Sequence, residues 1–259
     1  MVGGIDPEST NAGVAFYKQV LEFDSREDLP QENGVWNIGT SEASELAKLA
    51  ETTYRDVNIG LANQFAKYAA ANGIDIYSVI EACNSQPFSH IHKPGIAVGG
   101  HCIPIYPRMY LWNDPNATVV SAARDANAAM PGYAANLLAE SLGPLAGKKV
   151  AVLGIAYRGG VKETAFSGAF PLIEALRLAE ADVVVHDPMY SDEEIHNLGW
   201  NDYHLGQFAD AAILQADHAE YRNLTQVDLP GVSCIVDGRN VINSKNFDSK
   251  TKIVRIGIG

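Results

Sequence analysis

The sequence predicts an α/β protein, mainly helical in its first half and built on a parallel sheet in its second. Three observations predict this. From Ser41 to about Ala71 there is no proline and only one glycine, Gly60. Leu46, Leu49, Thr53, Val57, Leu61, Phe65 and Tyr68 recur there at helical spacing. From Gly143 onward the alphabet switches to short β-branched runs, Lys148–Gly154 and Val183–Pro188. A helix pattern, Pro171–Glu180, separates those two runs. Strand, helix, strand in that order implies parallel pairing with helices on both faces of the sheet.

The elements follow in chain order. Asp6-Pro7-Glu8-Ser9 reads as a turn and helix start, and Ala12–Leu21 as a short amphipathic helix. Gly34–Ile38 reads as a short strand. The Ser41–Ala71 helix is longer than most globular helices, which points to a subunit interface, and Gly73 ends it. Asp75–Asn84 reads as another helix. Ser85–Pro107, rich in Pro, Gly and His, reads as loop. Val119–Leu142 is helical again, and Pro131 either kinks it or starts a new segment. Beyond the two strand runs, Ala211–Ala216 and Cys234–Gly238 read as two more strands. The spacing places a domain boundary near Leu142.

Bulk composition narrows the function classes. Of 259 residues, 47% are apolar and 19% charged, enough for a core and too few charges for a disordered acidic chain. The net charge of −12 argues against nucleic acid and anionic membrane as partners, since both need basic faces. A small phosphorylated ligand needs only a few local donors and is not excluded. Cys83, Cys102 and Cys234 are too few and too scattered for a disulfide framework and read as reduced thiols. No run of eighteen apolar residues predicts a membrane span. Met1–Pro7 has neither the basic start nor the apolar stretch of a signal peptide.

The sharpest local feature is Gly99-Gly100-His101-Cys102-Ile103-Pro104. Two glycines allow close backbone approach to a ligand, and a cysteine on the same tight turn offers a thiolate nucleophile. On spacing alone the alternative is a buried small hydrophobe in a Gly-rich turn. Taken together, Lys93-Pro94-Gly95 and Val98–Pro104 resemble the signature of the UDP-glucose and UDP-N-acetylmannosamine dehydrogenases. The resemblance continues upstream through Glu45–Glu51, Tyr54-Arg55-Asp56-Val57-Asn58 and Ala62-Asn63. Downstream it runs through Gly154-Ile155-Ala156-Tyr157-Arg158, Ser167, Asp187-Pro188 and Asp237-Gly238-Arg239-Asn240. Val2-Gly3-Gly4 is similar to the strand end that closes that family's NAD domain.

The resemblance implies a specific architecture. Residues 1–38 would be the end of an NAD-binding domain and a connector. Residues 39–142 would be an all-helical central dimerisation domain carrying the cysteine loop, and residues 143–259 a Rossmann-like parallel-sheet UDP-binding domain. It also implies a reaction, the two-step oxidation of a UDP-sugar primary alcohol by two NAD. Cys102 would hold the aldehyde carbon as a thiohemiacetal and then as a thioester, which water releases as the uronate. Lys48 would stabilise the oxyanion, although without the surrounding motif it reads as a solvated helix lysine. Thr52 stands where the UDP-glucose enzymes have asparagine, leaving one hydroxyl donor. Tyr106 stands where the family has an aspartate, and a phenol is a poor base at neutral pH.

For the substrate, the resemblance points to Lys93, Gly95, Gly99, Gly100, His101, Arg55, Tyr157, Arg158 and Arg239. Arg158 and Arg239 suit a diphosphate at the carboxyl ends of parallel strands; read singly, each cation here is also an ordinary surface charge. Ala165 and Phe166 replace an arginine-containing family stretch before Ser167. The Tyr-Arg-Asp-Val-Asn run leans the substrate towards an N-acetylated UDP-sugar. A homodimer through the Ser41–Ala71 helix and a cytoplasmic location are the further expectations. His90, His92 and His101 have no ligand framework for zinc, and no metal is expected. The Gly-x-Gly-x-x-Gly fingerprint is absent, so NAD would be bound by a domain of ~150 residues preceding Val2, and this chain alone is expected to lack normal turnover. Two readings of different class stand beside each other: part of a UDP-sugar dehydrogenase, or a truncated paralogue that binds UDP-sugar or dimerises without catalysis. A third would place NAD on the C-terminal sheet, with Asp187 as its ribose-binding acid.

Overall fold

The computed structural model describes residues 1–27 and 33–259. Residues 28–32, inside the 1–38 segment assigned above, lie outside the described residues. The chain divides into two compact units, residues 1–54 and 55–259.

In the first unit, β1 (Val2–Gly4) and β2 (Asn37–Thr40) pair in parallel, and α1 (Pro7–Val20) lies between them in sequence. The start of α1 follows from its sequence. Asp6 Oδ1 accepts the Ser9 N–H at 2.7 Å, and Pro7 occupies the first helical position, where no N–H is needed. The Thr10 hydroxyl donates to Gly39 O at 2.8 Å and accepts from the Gly4 N–H at 2.9 Å, tying helix to both strands. The second strand lies a few residues later than the Gly34–Ile38 expected from the sequence. Helix α2 (Ser41–Ala71) has the bounds its spacing predicts.

The second unit contains the rest of α2 and the elements α3 (Ile76–Asn84), α4 (Tyr106–Asn113), α5 (Thr118–Ala128) and α6 (Met130–Leu142). Of the two outcomes left open for Pro131 within Val119–Leu142, the new segment is the one found: two helices, broken at Ala129, with Pro131 near the start of the second. The expected loop ends at Ile105, because Tyr106-Pro107 opens α4. A six-stranded parallel sheet follows. Its strands are β3 (Lys149–Leu153), β4 (Asp182–His186), β5 (Asn201–Asp202), β6 (Ala211–Leu214), β7 (Cys234–Asp237) and β8 (Lys252–Arg255), in spatial order β5-β4-β3-β6-β7-β8. Helix α7 (Ala169–Leu178) connects β3 to β4, and α8 (Asp192–Asn197) connects β4 to β5.

Strand residues alternate between two cores. Val150, Val152, Val183, Val185, Ile213 and Val236 face a layer that includes Leu138 of α6 and Leu172 and Leu176 of α7, together with Ala66 and Ala69 of α2. Each fully buried aliphatic side chain contributes about 1.5–3 kcal/mol. The opposite face does not carry the helices expected from the strand–helix pattern. Ala151, Leu153, Ala212, Leu214 and Ile235 are covered there by Tyr203, Tyr221, Leu224, Leu229, Ile242 and Phe247. Tyr221 sits in a short 3-10 turn, and the others come from the loops that follow β5, β6 and β7. The β6–β7 and β7–β8 connections contain only short 3-10 turns, Ala219–Asn223 and Ser244–Asn246, so aromatic and aliphatic loop side chains supply the cover. Among the described residues no helix is long and apolar enough to cross a membrane.

Candidate functional site

The strand order reverses between β3 and β6, so the loops after them diverge and open a crevice at the carboxyl edge of the sheet. Four segments of the second unit meet there: the loop 85–105, the loop after β3, the segment after β6 and the turn after β7.

The first of these is held by asparagines from α2 and α3. The Asn58 side chain donates to His90 O at 2.7 Å and accepts the His92 N–H at 2.9 Å. Asn84 brackets Ile91 through both its N–H and its carbonyl. Asn63 Oδ1 accepts the Gly95 N–H at 2.9 Å, while its amide donates to Asn127 Oδ1 at 2.9 Å. Asn127 in turn donates to Asp56 Oδ1 at 2.9 Å, and Arg124 pairs with the same buried carboxylate. Burial raises the Asp56 pKa above the usual carboxylate value, while Arg124 and Asn127 work against that rise. Arg55, exposed on α2, adds to burial in lowering the His92 pKa.

Glycine is required where the loop crosses the β3 segment. A Cβ on Gly99 would lie 2.4 Å from Tyr157 Cβ, and Gly100 has φ +92° with its N–H donated to Ala165 O at 2.8 Å. His101 Nε2 and Glu163 Oε2 are 3.0 Å apart, and that bond holds the Glu163 carboxyl below its usual pKa. Cys102 follows, half-buried and unbridged, its carbonyl accepting the N–H groups of Ile105 and Tyr106 that start α4. A methyl group at Gly99 is therefore expected to cost about 1–3 kcal/mol of stability. A scanning thermal denaturation of Gly99→Ala checks this, and an unchanged midpoint would mean that the loop is not packed on Tyr157.

Two cavities flank this loop. One, of about 520 Å³, is lined by Lys93, Pro94, Asp217, Arg222, Arg239 and Asn240. The other, of about 490 Å³, is lined by Val98, Pro104, Arg108, Arg124 and Phe166 among others. Arg239 is the hub of the first. Its N–H bonds Asp237 Oδ1 at 3.0 Å, its Nε donates to Gln215 O at 2.8 Å, and a terminal nitrogen donates to Tyr157 O at 3.2 Å. A Cβ on Gly95 would lie 2.9 Å from the other terminal nitrogen. Desolvation lowers the Arg239 pKa, with Asp217 acting against it, and a guanidinium stays charged at neutral pH. Arg158 is exposed, its guanidinium 5.8 Å from the centre of the Tyr157 ring. Three cations and one carboxylate thus line a cleft with the charge and size for a nucleotide diphosphate.

The two residues expected on the early part of α2 belong to the first unit. Lys48 Nζ lies 3.2 Å from Glu51 Oε2. The Thr52 hydroxyl, expected as a donor to substrate, donates instead to Lys48 O at 2.8 Å within its own helix. Arg222 and Asp217 were not legible as site residues, because they sit in and just before a short 3-10 turn after β6 that carries no sequence period. The rule that ligands bind beyond the carboxyl ends of strands is the signal that points to that segment.

Asp187 is not a ribose ligand. One oxygen accepts from the Ile155 N–H at 2.7 Å, the Ala156 N–H at 3.2 Å and His218 Nε2 at 3.1 Å; the other accepts the Met189 N–H at 2.9 Å. With its acceptor positions filled and the residue 3% exposed, it is a structural hub. The β3 loop carries Gly154, Gly159 and Gly160 but not the Gly-x-Gly-x-x-Gly spacing of a dinucleotide cradle.

Comparison with known proteins agrees with this architecture. Residues 42–129 match the central domain of the UDP-glucose/GDP-mannose dehydrogenase family, and residues 151–244 match that family's UDP binding domain. A UDP-N-acetyl-D-mannosamine dehydrogenase of Pyrococcus horikoshii is 34% identical over 93% of this chain and 56% of its own length. The solved structure of UDP-D-ManNAc dehydrogenase from Pyrococcus horikoshii superposes with a TM-score of 0.81 at 30% identity, covering 98% of this chain and 59% of that one. A UDP-glucose dehydrogenase from the hyperthermophilic archaeon Pyrobaculum islandicum gives 0.82 at 25% identity, covering 99% and 58%. The chain spans about half the length of the curated relatives it matches.

Proposed function

This chain belongs to the UDP-glucose/GDP-mannose dehydrogenase family, and on that premise we propose that it forms the substrate-holding, cysteine-bearing part of an NAD-dependent UDP-sugar 6-dehydrogenase. The observation that carries the proposal is the meeting of Arg239, from the turn after β7, with Lys93 and Gly95 of the Cys102 loop around one cationic cleft. The nucleotide occupies that cleft, with Arg239, Lys93 and Arg222 neutralising the diphosphate. Arg158 reaches the phosphates from the exposed side. The sugar extends past Gly99 and Gly100, on which the Tyr157 side chain packs, towards the Cys102 thiol.

Cys102 Sγ attacks the C6 aldehyde carbon and the carbonyl oxygen takes a proton, giving a thiohemiacetal that keeps the carbon bound until it is oxidised. Lys48 and Thr52, in the first unit, keep the role the family resemblance implies for them, support of charge at an oxyanion. NAD, which accepts hydride in this class of reaction, is assigned to protein outside the sheet of residues 149–255. The relatives' substrate, UDP-N-acetyl-D-mannosamine, is proposed as the sugar.

A homodimer through α2 goes with this reading. Ala62, Ala66 and Ala69 are buried, while Leu61, Phe65 and Tyr68 on another face are 43%, 40% and 67% exposed. Small residues inward and large apolar ones outward mark a face that awaits cover. A monomeric mass in sedimentation would contradict it.

Alkylation tests the placing of the thiol. Iodoacetamide labelling of Cys102, followed by peptide mass, is expected to slow by about tenfold at a UDP-sugar concentration ten times its Kd, with Cys83 unaffected. Undiminished labelling in the presence of bound UDP-sugar would contradict the assignment.

A further inference from the structure

At the opposite edge of the sheet from β8, α8 and β5 place four ligand-type side chains together by simple periodicity. Asp192 and His196 are four apart on α8 and share a helix face. Asp202 ends β5 and His204 follows two residues later; their side chains are 25% and 54% exposed while Tyr203 between them is buried. His204 Nε2 lies 3.4 Å from Asp192 Oδ2 and 3.1 Å from Asp202 Oδ2. Ligand atoms of Asp192, Asp202 and His204 all lie within 4.8 Å of one another. A tetrahedral ion with bonds of about 2.0–2.1 Å separates its ligands by roughly 3.3–3.4 Å, close to the two measured edges.

We propose that Asp192, Asp202 and His204 form a binding site for a divalent transition ion of the zinc class, with His196 positioning Asp202. His196 Nε2 is 2.7 Å from Asp202 Oδ1, leaving Oδ2 for the ion, the carboxylate–histidine support that metal ligands use. Capping fixes the helix end, since Ser191 and Glu194 bond each other's backbone N–H. One imidazole and two carboxylates suit zinc better than calcium or magnesium, which prefer all-oxygen cages, and water completes the coordination. The site has a structural use: β5 has only two residues and pairs with β4 through Asn201 and Asp202 alone. An ion bridging Asp192 and Asp202 clamps this short edge strand to α8.

Calorimetric titration with zinc chloride tests this in a Cys83→Ser/Cys102→Ser background, which removes the two part-exposed thiols as competing ligands. One zinc per chain is expected. His204→Ala is expected to abolish that uptake, and His196→Gln to weaken it by about 10-fold or more. The side chains of His196 and His204 are more than half exposed, so both variants should keep the fold, checked by circular dichroism. No stoichiometric uptake, or uptake unchanged in folded His204→Ala, would overturn the proposal and leave the cluster as a set of surface ion pairs.

Discussion

Replacing Arg239 with alanine is expected to weaken UDP binding by roughly 10- to 150-fold, the loss of about 1.5–3 kcal/mol from a charge-assisted contact. The guanidinium is partly desolvated and fixed by two carbonyl acceptors, Gln215 O and Tyr157 O, so it meets a phosphate without first being ordered. The same bonds tie the β7 turn to the loops after β3 and β6, and removing them also loosens the crevice. Lys93→Ala separates the two effects. Lys93 is exposed and lines the same cavity, so its loss should lower affinity with little change in thermal midpoint. Titration calorimetry of both variants reads the affinities directly, and unchanged affinity in each would remove the nucleotide from this cleft.

Asp187→Ala is expected to be the most damaging single change to stability. It leaves the N–H groups of Ile155, Ala156 and Met189 without their acceptor, and His218 without its partner, in a site only a few per cent exposed. Breaking one side of such a buried network costs about 3–5 kcal/mol, or roughly 6–20 °C in the midpoint of a unit this size. Burial alone would raise the Asp187 pKa. The hydrogen bonds from His218, Met189 and Ile155 outweigh it and hold the carboxyl below its ordinary value. The stabilisation is therefore fully present above the unfolded-state pKa of ~3.9 and is lost as pH falls through the folded value. Acid denaturation of the native chain should show this loss below about pH 4, and Asp187→Ala should not. Equal acid sensitivity in both would contradict the hub.

What could be read from the sequence divides along physical lines. Helix α2 was legible to the residue, because thirty-one residues with no proline and one glycine leave little alternative to a helix. Helix α4 was missed, since its Tyr106-Pro107 start continues a Pro-rich run and the helix is only eight residues long. Strands β5 and β8 were missed as short edge segments with no alternation to detect. The cover of the second sheet face by Tyr203, Tyr221 and Phe247 carries no period at all. In the candidate site, Gly99 and Gly100 stood out in the sequence through the close approach they permit, whereas Cys102 and Arg239 were singled out by the family resemblance, since alone they also read as a small hydrophobe and a surface charge. The network of Asp56, Asn63, Arg124 and Asn127 was not, since its partners lie 64 to 71 positions apart and only the fold brings them together. Asp187 was placed correctly at a strand end, but its use was hidden, because only coordinates reveal that its acceptors are already filled.

The central claim, that the second unit holds a UDP-sugar beside Cys102, is tested most directly by titrating the folded chain with UDP and a panel of UDP-sugars. The account predicts saturable binding of UDP, tighter binding of UDP-N-acetylmannosamine than of UDP-glucose, and loss of affinity in Arg239→Ala. No binding of UDP to the folded chain at millimolar concentration would contradict it.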